Sequence, residues 1–99
     1  MQPRNLERAS SELVKVCHLA YERGYICGTE GNFSLRLDDH TLLTTPTGTC
    51  KGLLSPSDLV LTNLDGVALD LPQNQGKRPS SELKMHLIVY LKRADVMAV

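Results

Sequence analysis

The run Pro79-Ser80-Ser81-Glu82 constrains this chain most, because a leucine-rich periodic stretch follows it at once. Leu83, His86, Leu87, Tyr90 and Leu91 recur at three- and four-residue steps, which places them on one face of a helix. Proline is tolerated at the edge of a helix, and a serine at the N-cap supplies an acceptor for its unpaired N–H groups. The pattern predicts a helix from about Ser81 to Lys92. Its positive end gathers two hydroxyls, free amides and the Glu82 carboxylate, an arrangement that suits an anion beside an acid/base. An ordinary serine cap with a first-turn acid accounts for the same residues.

A second helix is predicted from Pro3 to about Arg23. Leu6, Ala9, Leu13, Val16, Cys17 and Ala20 form its apolar row, and Gly24 stands where a left-handed residue would end it. His18 lies off that row and is expected in solvent. Between the two helices the period changes to two. Phe33, Leu35 and Leu37 alternate with Ser34 and Arg36, which reads as a half-buried strand over Asn32–Leu37. Asp38-Asp39-His40 is a turn with His40 exposed at its tip, and Thr41–Thr45 returns as a second strand. Ser55-Pro56-Ser57-Asp58 is a short capped turn. Leu59–Thr62 and Val67–Leu69 form a hairpin about Asn63-Leu64-Asp65-Gly66, and 70–78 is a polar loop. After a turn at Arg93-Ala94-Asp95, Val96–Val99 begins an apolar strand, and the chain stops within it.

The 99 residues allow one domain, and their 11 basic and 11 acidic side chains cancel. No basic field favours nucleic acid, and four aromatic residues are too few for base-stacking platforms. No apolar run approaches the ~20 residues of a membrane span, and the N-terminus lacks the apolar core of a signal peptide. Cys17, Cys27 and Cys50 show no CxxC spacing, so neither a disulfide framework nor a zinc knuckle is indicated, and a reducing cytoplasm is the expected location.

Three separated segments share one character: Gly28-Thr29-Glu30-Gly31-Asn32 before a strand, Thr45-Pro46-Thr47-Gly48 after one, and Pro79-Ser80-Ser81-Glu82 at a helix start. Each offers small residues that let a ligand approach the backbone, together with hydroxyl or amide donors. Converged, they would make a neutral oxyanion cradle built from dipoles rather than lysines. Lys51 and Arg78 could help to attract an anion, but solvated surface charge is the first reading of both. Neither a GxxxxGK[ST] loop nor a strand-linked GxGxxG is present, and no nucleophile elbow or serine–histidine spacing indicates a hydrolase.

Taken in order, these segments resemble the class II aldolase/adducin family. The resemblance runs through Gly28–Arg36, Thr45–Gly48, Lys51-Gly52-Leu53, Ser57–Val60, Pro79–Glu82 with His86 and Tyr90, and Arg93-x-Asp95-x-x-Ala98-Val99. It implies the N-terminal part (1–99) of a single α/β domain. That domain is an α/β/α sandwich around a largely antiparallel sheet, incomplete here on its C-terminal side and usually assembled as a homotetramer. Relatives include fuculose-1-phosphate aldolase, ribulose-5-phosphate 4-epimerases, dehydratases and decarboxylases. The implied function is aldol cleavage of a phosphorylated ketose through an enediolate. An epimerase, dehydratase or decarboxylase is the alternative among enzymes, and a non-catalytic adducin-like scaffold is the alternative outside them.

By the same resemblance, Asn32, Thr47, Gly48, Ser80 and Ser81 match the positions that bind substrate phosphate, and Glu82 matches the acid/base. A carboxylate serves in that role when burial raises its pKa toward working pH. His86 matches a position that is not a metal ligand, which leaves it a supporting or packing role. Complete family members use a divalent metal, typically zinc, held by histidines that include a His-x-His directly after the segment matched by Ala98-Val99. His18, His40 and His86 match none of those ligands, so residues 1–99 alone are expected to bind no catalytic metal.

Overall fold

The computed structural model describes all 99 residues, Met1–Val99. The first helix, α1, spans Leu6–Glu22. Its start lies three residues beyond the expected one because Asn5 is the cap: the Asn5 backbone is extended, and its side-chain oxygen accepts the Arg8 N–H at 2.9 Å. At the other end the Arg23 N–H returns to Leu19 O, and Gly24 takes the expected positive φ. Ala9, Leu13, Val14 and Cys17 face inward. Val16, read as part of the apolar row, is half exposed, so the buried stripe turns toward Val14 instead.

Three strands follow, β1 (Ser34–Arg36), β2 (Thr41–Thr44) and β3 (Val60–Asn63), in an antiparallel sheet of order β1-β2-β3. Leu35 pairs with Leu43, and Leu43 with Leu61. Because side chains alternate along a strand, these leucines share one face. They pack with Ala9, Leu13 and Cys17 of α1, and with Leu37, Leu54 and Leu59, in a single core. Single bridges lengthen the ladder at both edges. On the β1 side, Ser34 and Val99 exchange both backbone bonds, and the Arg36 N–H donates to Met97 O. On the β3 side, Thr62 bridges Ala68. The segments expected as strands at Val67–Leu69 and Val96–Val99 are therefore extended and paired, but only at these rungs.

The second face of the sheet carries Ser34 and Thr44, Arg36 and Leu42, and Val60 and Thr62 by the same register. The reading of β1 as half-buried fails here: Ser34 and Arg36 are as buried as the leucines. They are covered by α2 (Leu83–Lys92), whose His86 and Tyr90 meet Ser34. The Arg36 guanidinium donates to Tyr90 O at 2.8 Å and to Val96 O at 3.0 Å, and it lies over the Tyr90 ring. Of the face predicted for α2, Leu83, His86 and Tyr90 are buried, whereas Leu91 is exposed, as are Met85 and Ile88.

Loops are tied by side chains that the sequence pattern left unassigned. Asn74, in the polar loop, is buried and stands in for a strand rung. Its Oδ1 accepts the Leu61 N–H, and its Nδ2 donates to Leu61 O and Leu69 O. At the predicted capped turn, Pro56–Asp58 forms a short 3-10 helix, and the Asp58 carboxylate reaches back to the Ser55 N–H at 2.8 Å. His18, expected in solvent, is half buried, with Nε2 2.7 Å from Leu54 O. No helix is long and apolar enough to cross a membrane.

Candidate functional site

The exit from β2 and the approach to α2 are stitched together. The Thr47 N–H donates to Arg78 O at 2.8 Å, and Pro46 bridges Pro79. This brings the Thr47-Gly48 turn beside Ser80 and Ser81. Gly48 has φ +72, a conformation that a side chain would strain, and the turn keeps its backbone open to the space in front of it. The loop before β1 closes the third side. All six residues assigned to the site, Asn32, Thr47, Gly48, Ser80, Ser81 and Glu82, line one cleft of about 680 Å³, together with Lys51 and His86.

Inside the cleft most of the polar groups have no partner in the chain. Ser80 Oγ accepts the Glu82 N–H at 3.1 Å, so the serine hydroxyl caps the turn as its type predicts. The helix proper starts at Leu83, two residues later than expected, with Glu82 at the cap position. The side chains of Asn32, Thr47, Ser81 and Glu82 are left to meet a ligand or water. Three short donors on three segments, with open backbone at Gly48, make a surface suited to an oxyanion. Glu82 is exposed at the rim of the cleft, so residues 1–99 do not supply the burial that an acid/base carboxylate uses.

Two groups at the site differ from the sequence reading or exceed it. Lys51, read as a solvated charge, is 1 % exposed, and its Nζ donates to Thr29 O at 3.1 Å and to Thr49 O at 3.0 Å. Desolvation lowers its pKa. His86 is buried in a polar chain. Its Nδ1 and the Tyr90 hydroxyl each lie 2.7 Å from Ser34 Oγ, which anchors the inner wall of the cleft to the sheet. Burial holds the His86 imidazole below its ordinary pKa, with Glu82 partly opposing, and burial likewise pushes the Tyr90 hydroxyl up. The supporting role expected for His86 agrees with this geometry.

A catalytic metal commonly takes three protein ligands. Nowhere in the chain do three His, Cys, Asp or Glu side chains gather as such a set. Residues 1–99 therefore do not by themselves fit the divalent metal that the resemblance implies.

Comparison with known proteins extends these observations. Over 93 residues the chain is 40% identical to a 3-oxo-tetronate 4-phosphate decarboxylase of Pectobacterium atrosepticum, covering 94% of this chain and 40% of that one. It is also 40% identical to an L-fuculose phosphate aldolase of Methanococcus vannielii, covering 89% of this chain and 45% of the relative. Among solved structures, YgbL of Klebsiella pneumoniae, described as a putative aldolase/epimerase/decarboxylase, superposes with a TM-score of 0.84 at 35% identity, over 95% of this chain and 43% of that one. The chain thus spans less than half the length of these relatives. The profile of the Class II Aldolase and Adducin N-terminal domain matches residues 11–99, from the middle of α1 through the cleft to the last rung on β1, and the chain belongs to that family.

Proposed function

We propose that residues 1–99 form the substrate-anion half of a lyase that acts on a small phosphorylated sugar, with aldol cleavage of a phosphorylated ketose as the reaction. The observation that carries this reading is the convergence of three sequence-distant segments on one cleft whose donors are unpaired. In it, Asn32, Thr47, Gly48, Ser80 and Ser81 hold the phosphate through side-chain donors and open backbone, without a direct ion pair. Glu82, at the rim beside them, moves a proton at the carbon next to the substrate carbonyl. A divalent metal, zinc in the family resemblance, would stabilise an enediolate in the complete protein. Its ligands would come from outside these residues, because residues 1–99 offer no set of three.

The names of the relatives support this reading. Both the decarboxylase and the aldolase act on a phosphate ester, and both reactions break a carbon–carbon bond. Their equal identity to this chain does not choose between them, and more than half of each relative's length lies outside the match. An adducin-like scaffold has no use for unpaired donors around an open cleft, which favours the enzyme. The proposal includes a cytoplasmic homotetramer in which a three-layer sandwich is completed over the exposed apolar residues of α2, Met85, Ile88 and Leu91.

The test uses protein expressed from its full reading frame. Cleavage of fuculose-1-phosphate and ribulose-1-phosphate is measured with a divalent metal supplied, and phosphoglycolate binding is measured by calorimetry. Binding that is lost in Ser81→Ala supports the anion site. Retained oligomers that neither bind phosphoglycolate nor turn over would establish the scaffold instead.

A further inference from the structure

The chain has one buried ammonium, and it stands at the cleft. Lys51 Nζ holds two carbonyls, Thr29 O and Thr49 O, one from each of two loops that frame the cleft. An ammonium has three donors, so one N–H and the whole charge are left without a partner in the chain. The ion pairs of the fold, Met1–Asp39, Arg4–Glu12, Arg8–Glu12 and Arg93–Asp95, do not include it. Its buried neighbour Cys17 provides no counter-charge, because desolvation pushes that thiol up to about 11. A buried charge without a counter-ion is costly, and folds keep one where something pairs it.

The carboxylates lining the cleft do not cancel it. Glu30 is exposed and bound to its own loop, with Oε1 accepting from the Cys27 N–H and thiol at 2.9 Å. Glu82 is exposed at the rim. Exposed charges are screened by water and salt, whereas the Lys51 charge acts through low-dielectric protein. Of the charged side chains that line the cleft, Lys51 alone is buried.

We infer that Lys51 is the electrostatic positioning residue of the anion cleft: it fixes the spacing of the 28–32 and 47–49 loops and supplies the charge that selects a dianionic phosphate ester over an analogue lacking the phosphate. This rests on the function proposed above and goes beyond it, since that function needs only neutral donors.

Wild type, Ser81→Ala, Lys51→Met and Lys51→Arg are compared in full-reading-frame protein by calorimetry, with phosphoglycolate and with glycolate. Lys51→Met is expected to weaken phosphoglycolate about tenfold or more, as loss of a unit charge near the site implies, while changing glycolate much less. Lys51→Arg is expected to restore most of the difference, which a purely structural loop tie would not require. Folded Lys51→Met with wild-type discrimination overturns the inference and leaves the phosphate site standing, provided Ser81→Ala still abolishes binding. A wild type that binds no phosphoglycolate overturns both. A second readout needs no variant: by NMR, the Lys51 Nζ pKa of the wild type is expected to rise when phosphoglycolate binds, and an unmoved value counts against the role even if Lys51→Met does not fold.

Discussion

Removing the Ser34 hydroxyl should be among the most damaging small changes that can be made to this fold. Ser34 is 1 % exposed, and its Oγ is 2.7 Å from both His86 Nδ1 and the Tyr90 hydroxyl. Ser34→Ala deletes one oxygen and leaves two buried polar groups on α2 without their partner. An unsatisfied buried group costs about 1–3 kcal/mol, so the pair should cost about 2–4 kcal/mol, allowing for local relaxation. That is a large share of the ~5–15 kcal/mol that stabilises a typical domain. Urea unfolding followed by circular dichroism measures it. Tyr90→Phe, which removes the other end of one bond, should cost less alone, and the double variant should cost less than the sum of the singles because the two share a bond. A loss below about 0.5 kcal/mol for Ser34→Ala, or strict additivity with Tyr90→Phe, would refute the claim that this polar chain holds α2 to the sheet.

Other expectations follow from the same structure. Glu82→Gln in the complete protein should lower turnover by about 10²–10⁴-fold with little change in unfolding midpoint; unchanged turnover would leave Glu82 as a helix-start residue only. Burial depresses the folded-state pKa of His86, so below its ordinary value of about 6.5 the unfolded chain takes up a proton that the folded chain resists. Stability from this group is therefore present above about pH 6.5 and is lost as pH falls through that value, and His86→Gln should flatten the slope of urea midpoint between pH 7.5 and 5.5. Leu43→Ala, at a fully buried position between β1 and β3, should cost about 2–5 kcal/mol in the same urea assay. A thiol reagent should label exposed Cys27 in the folded state, slowed by the Glu30 hydrogen bond that pushes its thiol up, and Cys17 only on unfolding, since Cys17 is inaccessible and its thiol is pushed up to about 11.

The helices and strands were legible because their apolar residues keep a period. Leu13 and Cys17 sit inward as spaced, and Leu35 and Leu37 share the face that α1 covers. The partners of the polar residues were harder to read. Ser34 and Arg36 alternate with leucines, which is the ordinary mark of a face in water, and only the polar residues His86 and Tyr90 at matching helical steps on α2 hinted that the two surfaces meet. Lys51 gave no local sign of burial, because one of its two carbonyl partners, Thr29 O, lies 22 residues away in another loop. Asn74 was hidden for the same reason: a single amide in a polar loop carries no periodic signal of the strand edge it completes. The segments that form the cleft were legible as turns with hydroxyls and glycine. Their convergence is a property of the tertiary fold, reached in sequence only through family resemblance.

The cleft framed by residues 28–32, 47–48 and 80–82 is proposed as an anion site. A crystal structure of the full-reading-frame protein with phosphoglycolate tests it most directly. The phosphate should sit on Asn32, Thr47, Gly48, Ser80 and Ser81, with Lys51 still joined to Thr29 O and Thr49 O at the cleft wall. A phosphate bound elsewhere on the surface, with the cleft filled only by water at saturating ligand, would contradict it.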